Sequence, residues 1–346
     1  MRKVSILTLS LLFSFFTGLS QDGEGATTGV SVGIIHVKDS IFMMKGKGGN
    51  IGVSVGEDGV LMIDNQFAEA TPMILNRLSG LSNKPVQFLI NTHHHGDHTG
   101  GNKNMNDAGV TIVSHDNVRS RLKNQEIAKA NEKMEAEFEK QREKLSKDGN
   151  NEEAESRAKE ELGEIDKYMN HDNIYPTITF SEDITFHYNG EKIMIFHVEN
   201  AHTDGDAIIY FTDSNVLHTG DVFFNGRYPY IDTKSGGSLN GYIKALSKLM
   251  MFIDDETKII PGHGDIGTKA DVKLSHDMLV RLRDGVAIEY GTQKSLEQVL
   301  ANKELTKFYD DRGFGEGYVS TERFITMMYE IAKKRFGSWD QKKGKQ

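Results

Sequence analysis

The chain contains no cysteine. That absence excludes disulfides, a lipid-attachment cysteine and any thiolate metal ligand. Positive charge is also short, since 41 Lys and Arg face 50 Asp and Glu for a formal net charge of −9. The balance disfavours a polyanionic partner, so no nucleic acid is expected as substrate. The one long apolar run, Val4 to Phe16, lies within the first 20 residues and is broken only by Ser and Thr. It is shorter than the roughly 20 residues of a spanning helix, follows Arg2 and Lys3, and gives way to Gly18 and Ser20 ahead of Gln21. Residues 1–20 therefore read as a secretory signal peptide. A periplasmic or secreted protein is expected, with no stable membrane insertion after signal removal. Loss of Arg2 and Lys3 with that leader takes the net charge to −11.

At 346 residues, with 37% hydrophobic and 26% charged content, the chain can bury an α/β core with additions, and nothing in it is fibrous. Against this ordinary background one segment stands out. Asn91-Thr92-His93-His94-His95-Gly96-Asp97-His98-Thr99-Gly100 sets four imidazoles and a carboxylate within six consecutive residues. Val86 to Ile90 before it reads as a short buried strand, and Thr99-Gly-Gly-Asn after it as the start of a helix. The cluster thus falls on a strand-to-helix loop. Neutral imidazole and carboxylate suit Zn²⁺ or Fe²⁺. In His-x-His-x-Asp-His, His93 and His95 can point one way while Asp97 and His98 turn toward a neighbouring site, which leaves room for two metals.

Further segments follow in order. Asp64 closes the apolar strand Val60-Leu-Met-Ile, His202 lies in Ala201-His-Thr-Asp-Gly-Asp-Ala, Asp221 in His218-Thr-Gly-Asp-Val-Phe, and His263 in Pro261-Gly-His-Gly. Together with the histidine cluster these resemble the five motifs of the metallo-β-lactamase superfamily, over about residues 30 to 268. The resemblance implies an α/β fold, the αββα four-layer sandwich, and a two-metal site. His93, His95 and His202 would hold one Zn²⁺ and Asp97, His98 and His263 the other, with Asp221 bridging. It implies a hydroxide shared by two Zn²⁺ ions that attacks the carbonyl of a small-molecule substrate, with Asp97 as the catalytic acid/base beyond the ligands. Asp64 is expected to accept the second N–H of a ligand imidazole, with Asp206 and Thr219 as weaker candidates. Asn225, Arg227 and Tyr228 are expected substrate contacts, and the Ser235-Gly-Gly-Ser238 loop is expected to flex beside them. His36, His94, His115, His171, His187, His197, His218 and His276 lack the motif context and are expected to pack or to lie on the surface.

Departures from the subgroups narrow the activity. No cysteine is available for the thiolate of the commonest β-lactamase subclass, and His93 stands where the mono-zinc subclass has Asn. The histidine set resembles the remaining subclass, whereas a bridging Asp221 is typical of glyoxalase II-like thioesterases and lactonases. The expectation is a periplasmic or secreted di-zinc hydrolase that opens a β-lactam or another cyclic amide or ester. The alternatives are an iron-dependent, persulfide dioxygenase-like oxidoreductase, or a thioesterase or lactonase without β-lactamase activity. A non-catalytic binding protein is disfavoured, because no ligand has been lost.

Short apolar runs bounded by Gly or Asp turns predict strands from Ser31 to Val113 and again from Ile178 to Ile260, after a flexible leader over 21–29. Between them, 15 acidic and 12 basic residues crowd the 55 positions from Asp116 to Asn170. Val118, Leu122, Ile127, Met134, Phe138 and Leu145 keep helical spacing, Gly149-Asn150-Asn151 offers a turn, and Ala154 to Met169 resume the spacing. The segment 116–170 reads as a charged helical hairpin insertion. It would be a solvated excrescence, a cap over the metals, or a stripe that pairs with a second copy in a homodimer. A helical extension is expected over 269–340, with amphipathic stretches at Leu274 to Ile288, Leu296 to Phe308 and Thr321 to Arg335. Asp311 to Tyr318 would be a flexible loop and 341–346 a frayed tail.

Overall fold

A computed structural model describes residues 31–148 and 174–343. The expected signal peptide, the leader and the returning arm of the hairpin lie outside the described residues. Seven strands form the first sheet in chain order: β1 (Gly33–Lys38), β2 (Ile41–Lys45), β3 (Ile51–Gly56), β4 (Gly59–Ile63), β5 (Val86–Asn91), β6 (Thr111–His115) and β7 (Ile178–Phe180). The first four are antiparallel, and β4 to β7 run parallel. The second sheet has five strands: β8 (Asp183–Tyr188), β9 (Glu191–His197), β10 (Ala207–Phe211), β11 (Val216–His218) and β12 (Lys258–Ile260), ordered β12-β11-β10-β9-β8.

The side-chain period of two explains the layers. In β4, Leu61 and Ile63 turn inward to meet Ile193, Ile195, Ile209 and Phe211 of the second sheet, while Val60 and Met62 turn outward onto helices. Such strands are apolar on both faces and lack polar alternation, as covered sheets require. The outer face of the first sheet is covered by α1 (Thr71–Ser79) through Ile74 and Leu78, and by Met105 of α3 (Asn102–Asp107). Between these two helices lies the single turn α2 (Gly96–Thr99). The outer face of the second sheet is covered by α5 (Leu239–Phe252), α6 (Lys269–Gly291) and α9 (Thr321–Lys343) through Leu246, Leu249, Leu279, Leu282 and Phe324. Helix, sheet, sheet and helix follow in four layers. Each buried Leu, Ile or Phe contributes about 1.5–3 kcal/mol, and these three clusters hold most of them.

The first arm of the insertion is α4 (Asp116–Asp148), which leaves the end of β6 as one helix. The C-terminal extension differs from expectation in three places. The stretch from Leu296 to Phe308 is broken at Asn302 into α7 (Leu296–Ala301), a 3₁₀ turn at Lys303–Leu305 and α8 (Lys307–Asp310). Asp311 to Tyr318 is not a loose loop, because Phe314 is buried against Tyr228 and Tyr309 and its carbonyl accepts the Tyr228 N–H. Helix α9 runs on to Lys343, into the expected tail.

Candidate metal centre

Every residue of the expected ligand set lies just beyond the C-terminal end of a strand, along one edge of the sandwich. His93 and His95 follow β5, Asp97 and His98 sit in α2, His202 follows β9, Asp221 lies in a 3₁₀ turn after β11, and His263 follows β12. Parallel pairing of β4 with β5 and of β11 with β12 brings these ends together. Glycines allow close approach. A Cβ on Gly49 would sit 2.1 Å from the His98 ring, and one on Gly262 would sit 2.0 Å from Asp221 Oδ1.

The donors fall into two groups. His93 Nε2 and His202 Nε2 lie 3.1 and 2.9 Å from His95 Nδ1, and 3.7 and 3.5 Å from Asp221 Oδ2. His98 Nε2 and His263 Nε2 lie 3.5 and 3.3 Å from Asp97 Oδ2, and 3.1 and 3.4 Å from Asp221 Oδ1. The two oxygens of Asp221 are thus divided between the groups. Donors about 2.0–2.2 Å from a tetrahedral ion stand roughly 3.3–3.6 Å apart; the second group spans 3.1–3.5 Å and the first 2.9–3.7 Å, its two contacts with His95 Nδ1 being the tighter ones.

The outer nitrogen of each of four imidazoles is already occupied. His95 Nε2 donates to Asp232 Oδ2 at 3.0 Å, His98 Nδ1 to Asp64 Oδ2 at 2.7 Å, His202 Nδ1 to the Tyr230 carbonyl at 2.8 Å, and His93 Nδ1 to Thr92 Oγ1 at 3.0 Å. Thr92 Oγ1 passes its own proton to Asp64 Oδ2 at 2.7 Å. These partners hold the protons on the outward nitrogens and leave the inward lone pairs free for a cation. His98 Nε2 and Asp221 Oδ1 are buried with no hydrogen-bond partner. The two atoms lie 3.1 Å apart, and either a bound cation or a proton on His98 Nε2 would satisfy both.

Electrostatics point the same way. Burial alone would lower the pKa of His98, but Asp221, Asp64 and Asp97 push it well above its ordinary value. Burial likewise opposes a charge on His263, yet Asp221 and Asp97 raise it to about 9. Asp221 is held well below the usual carboxylate range by His98, His263 and His93 despite its burial. The second group calls for positive charge, which protons supply when no metal does. His93 and His202 are depressed, chiefly by burial, His202 to about 4, and present neutral rings to a metal. These groups fit one or two divalent ions bound by N and O donors.

Other expected roles shift. Asp64 supports His98 directly and His93 through Thr92. The side chain of Asp206 takes the backbone N–H groups of His202 and Thr203, shaping the loop rather than holding a ring, and the Thr219 hydroxyl donates to backbone carbonyls. His218 is buried in β11, with Nε2 on the Asn50 carbonyl and Nδ1 accepting from Gly220 N–H. His94 is buried beside Ser235 Oγ at 3.3 Å. It also neighbours His95 and Asp232, but the hydrogen-bond contact between those two makes that trio a support. The Ser235–Ser238 loop is pinned rather than flexible: Asp232 accepts from Lys234 and Ser235 N–H, and a Cβ at Gly237 would strike the His202 carbonyl. Asn225 donates its amide N–H to the Asp265 carbonyl, and the Tyr228 hydroxyl donates to Asp310. Arg227 and Tyr228 both line the cleft in front of the centre, and Asn225 is not among its lining residues. Asp232, Tyr230 and Tyr318 escaped the sequence reading because no motif marks them.

The cleft holds about 620 Å³ and is lined by His95, Asp97, Asp221 and His263, by Lys47 and Arg227, and by a set of aromatic side chains. No helix of the described residues is long and apolar enough to cross a membrane.

Comparison with known proteins matches residues 44–263 to the family described as the metallo-beta-lactamase superfamily. Among solved structures, the DIM-1 metallo-beta-lactamase superposes with a TM-score of 0.53 at 16% identity, over 72% of this chain and 98% of that one. A metallo-beta-lactamase from Pontibacter korlensis gives 0.52 at 16% identity, over 72% of this chain and 99% of that one. At such identity these two likenesses speak for the fold.

Proposed function

This chain belongs to the metallo-β-lactamase superfamily, and from that premise we propose that it is a di-zinc hydrolase acting on the carbonyl of a small substrate such as a cyclic amide or ester. The observation that carries the reading is the division of the Asp221 oxygens between two complete donor groups. His93, His95 and His202 would hold one ion, Asp97, His98 and His263 the other, and Asp221 both. Bound there, two Zn²⁺ ions supply Lewis acidity and make water acidic near neutral pH.

The protein's own groups do the rest. Burial opposes a charge on Asp97, but His98 and His263 hold its pKa down, so it is a carboxylate at neutral pH with its side chain 28% exposed to the cleft. It orients the attacking water, takes its proton at the carboxylate, and returns that proton to the leaving atom. Lys47 and Arg227 line the cleft and suit a substrate carboxylate. The basic-then-apolar leader supports export to the periplasm or medium.

The test is metal quantification on the purified protein together with turnover of a chromogenic cephalosporin, a lactone and a thioester. Two zinc ions per chain and hydrolysis of at least one substrate are expected. One iron per chain with no zinc, or a zinc-loaded protein inert to all three, overturns the proposal.

A further inference from the structure

We propose that the C-terminal extension builds a specificity wall of the metal cleft, and that this wall selects substrates carrying a flat, aryl-type group next to the scissile carbonyl. The proposal rests on the hydrolase reading and assigns it a substrate class. Tyr318 and Val319 line the cleft from a segment beyond the family match at 44–263. Tyr318 is 75% exposed, an unusual state for a large ring that the fold holds in place. It meets Tyr230 edge to face at 5.7 Å and 85°. The Arg323 guanidinium, from the first turn of α9, lies 4.7 Å from the Tyr318 ring centre and 5.2 Å from that of Tyr230.

One cation therefore braces two rings at once, which orders Tyr318 without covering it. The brace is anchored from below, because Phe314 is buried and Phe324 stacks on Tyr228 at 4.6 Å. It is also tied to the chemistry: the Tyr230 carbonyl orients His202, and the Tyr230 ring lies 6.0 Å from that of His95. Phe224, stacked on His263 at 5.1 Å, and Phe67 supply further apolar surface in the same cleft. An aryl group beside the carbonyl buries against the faces of Tyr230 and Tyr318, whereas a methyl group leaves them wet.

The probes are phenylacetate and acetate, titrated calorimetrically into the full chain with zinc bound and again after chelation. Wild type is expected to prefer phenylacetate by about tenfold or more. Tyr318→Ala brings that ratio to about one, Tyr318→Phe keeps it, and Arg323→Leu lowers it by freeing the ring. In kinetics, Tyr318→Ala raises KM for a phenylacetyl thioester relative to the acetyl thioester of the same thiol, with little change in the kcat ratio. Equal binding of the two acids by wild type, or an undiminished ratio in Tyr318→Ala with zinc content unchanged, overturns the wall. If metal or turnover is missing, the hydrolase reading fails, and the ratio in chelated protein still decides the wall.

Discussion

Asp64 Oδ2 accepts the Nδ1–H of His98 at 2.7 Å, with both side chains fully buried. The same carboxylate takes the Thr92 N–H and hydroxyl, so it supports one imidazole in each donor group. Asp64 has a φ of 61°, a left-handed conformation that Asn also tolerates. Asp64→Asn is therefore expected to fold. Its amide N–H₂ placed toward His98 would drive the ring proton onto Nε2, which faces the centre. Zinc affinity should fall 10–100-fold in competition with a chromogenic chelator, and wild-type affinity would refute the orienting role.

Asp97→Asn keeps the size of the side chain and removes the proposed base. A drop in kcat of about 10²–10⁴-fold is expected on whichever substrate the wild type turns over, with circular dichroism unchanged. Unaltered turnover would remove Asp97 from the mechanism.

The insertion helix is more than an ornament at its root. Arg121 Nε and Nη2 grip both oxygens of Asp204 at 2.6 Å, and Asn117 Nδ2 holds the Asp204 carbonyl at 2.7 Å. This clamps the turn that follows His202. Arg121→Ala should weaken the binding of one of two zinc ions by roughly tenfold and spare the other, while Arg121→Lys, which lacks the planar fork, falls between. Equal loss at both ions in a two-phase zinc titration would show general destabilisation instead.

In chelated protein, stability should describe a dome against pH. Burial lowers His218 to about 4 and His94 to about 3 from an ordinary value of 6.5. These groups contribute stability that is complete above pH 6.5 and is lost as pH falls toward 4 and 3. His263 is raised to about 9, so its contribution is complete below pH 6.5 and is lost as pH rises through 9. Urea midpoints in EDTA from pH 4 to 10 measure both limbs, and a flat profile contradicts them.

The same field makes metal loading acidify the solution. The upward shifts of His98 and His263 favour protonated rings in the metal-free centre, and bound zinc would displace those protons. Release of about two protons per chain is expected with a pH-indicator dye. No release would mean that these rings are already neutral.

The strands and the donor side chains that the fold gathers were legible because their signals are local. A strand buried on both faces must be apolar throughout, and β4 and β10 are. The cluster from His93 to His98 packs its donors into six positions, which leaves few other uses for them. The extension was less legible, because the burial of Phe314 and the break at Asn302 depend on what the sandwich offers them. Two expected substrate contacts, Asn225 and Tyr228, donate hydrogen bonds to Asp265 and Asp310, partners that only the folded chain reveals.

By itself, the sequence determined the kinds of donor, their number and the sheets that would present them, since coordination chemistry and the two-residue period of a strand act over a few positions. Tertiary structure alone decided which carboxylate steadies which ring. Asp232 reaches His95 across 137 residues of chain, and Tyr318 and Arg323 close on Tyr230 from beyond the family's boundary. Hydrogen bonds and ring contacts between distant segments leave no periodic trace, because they require only that the packed core bring the two side chains within reach.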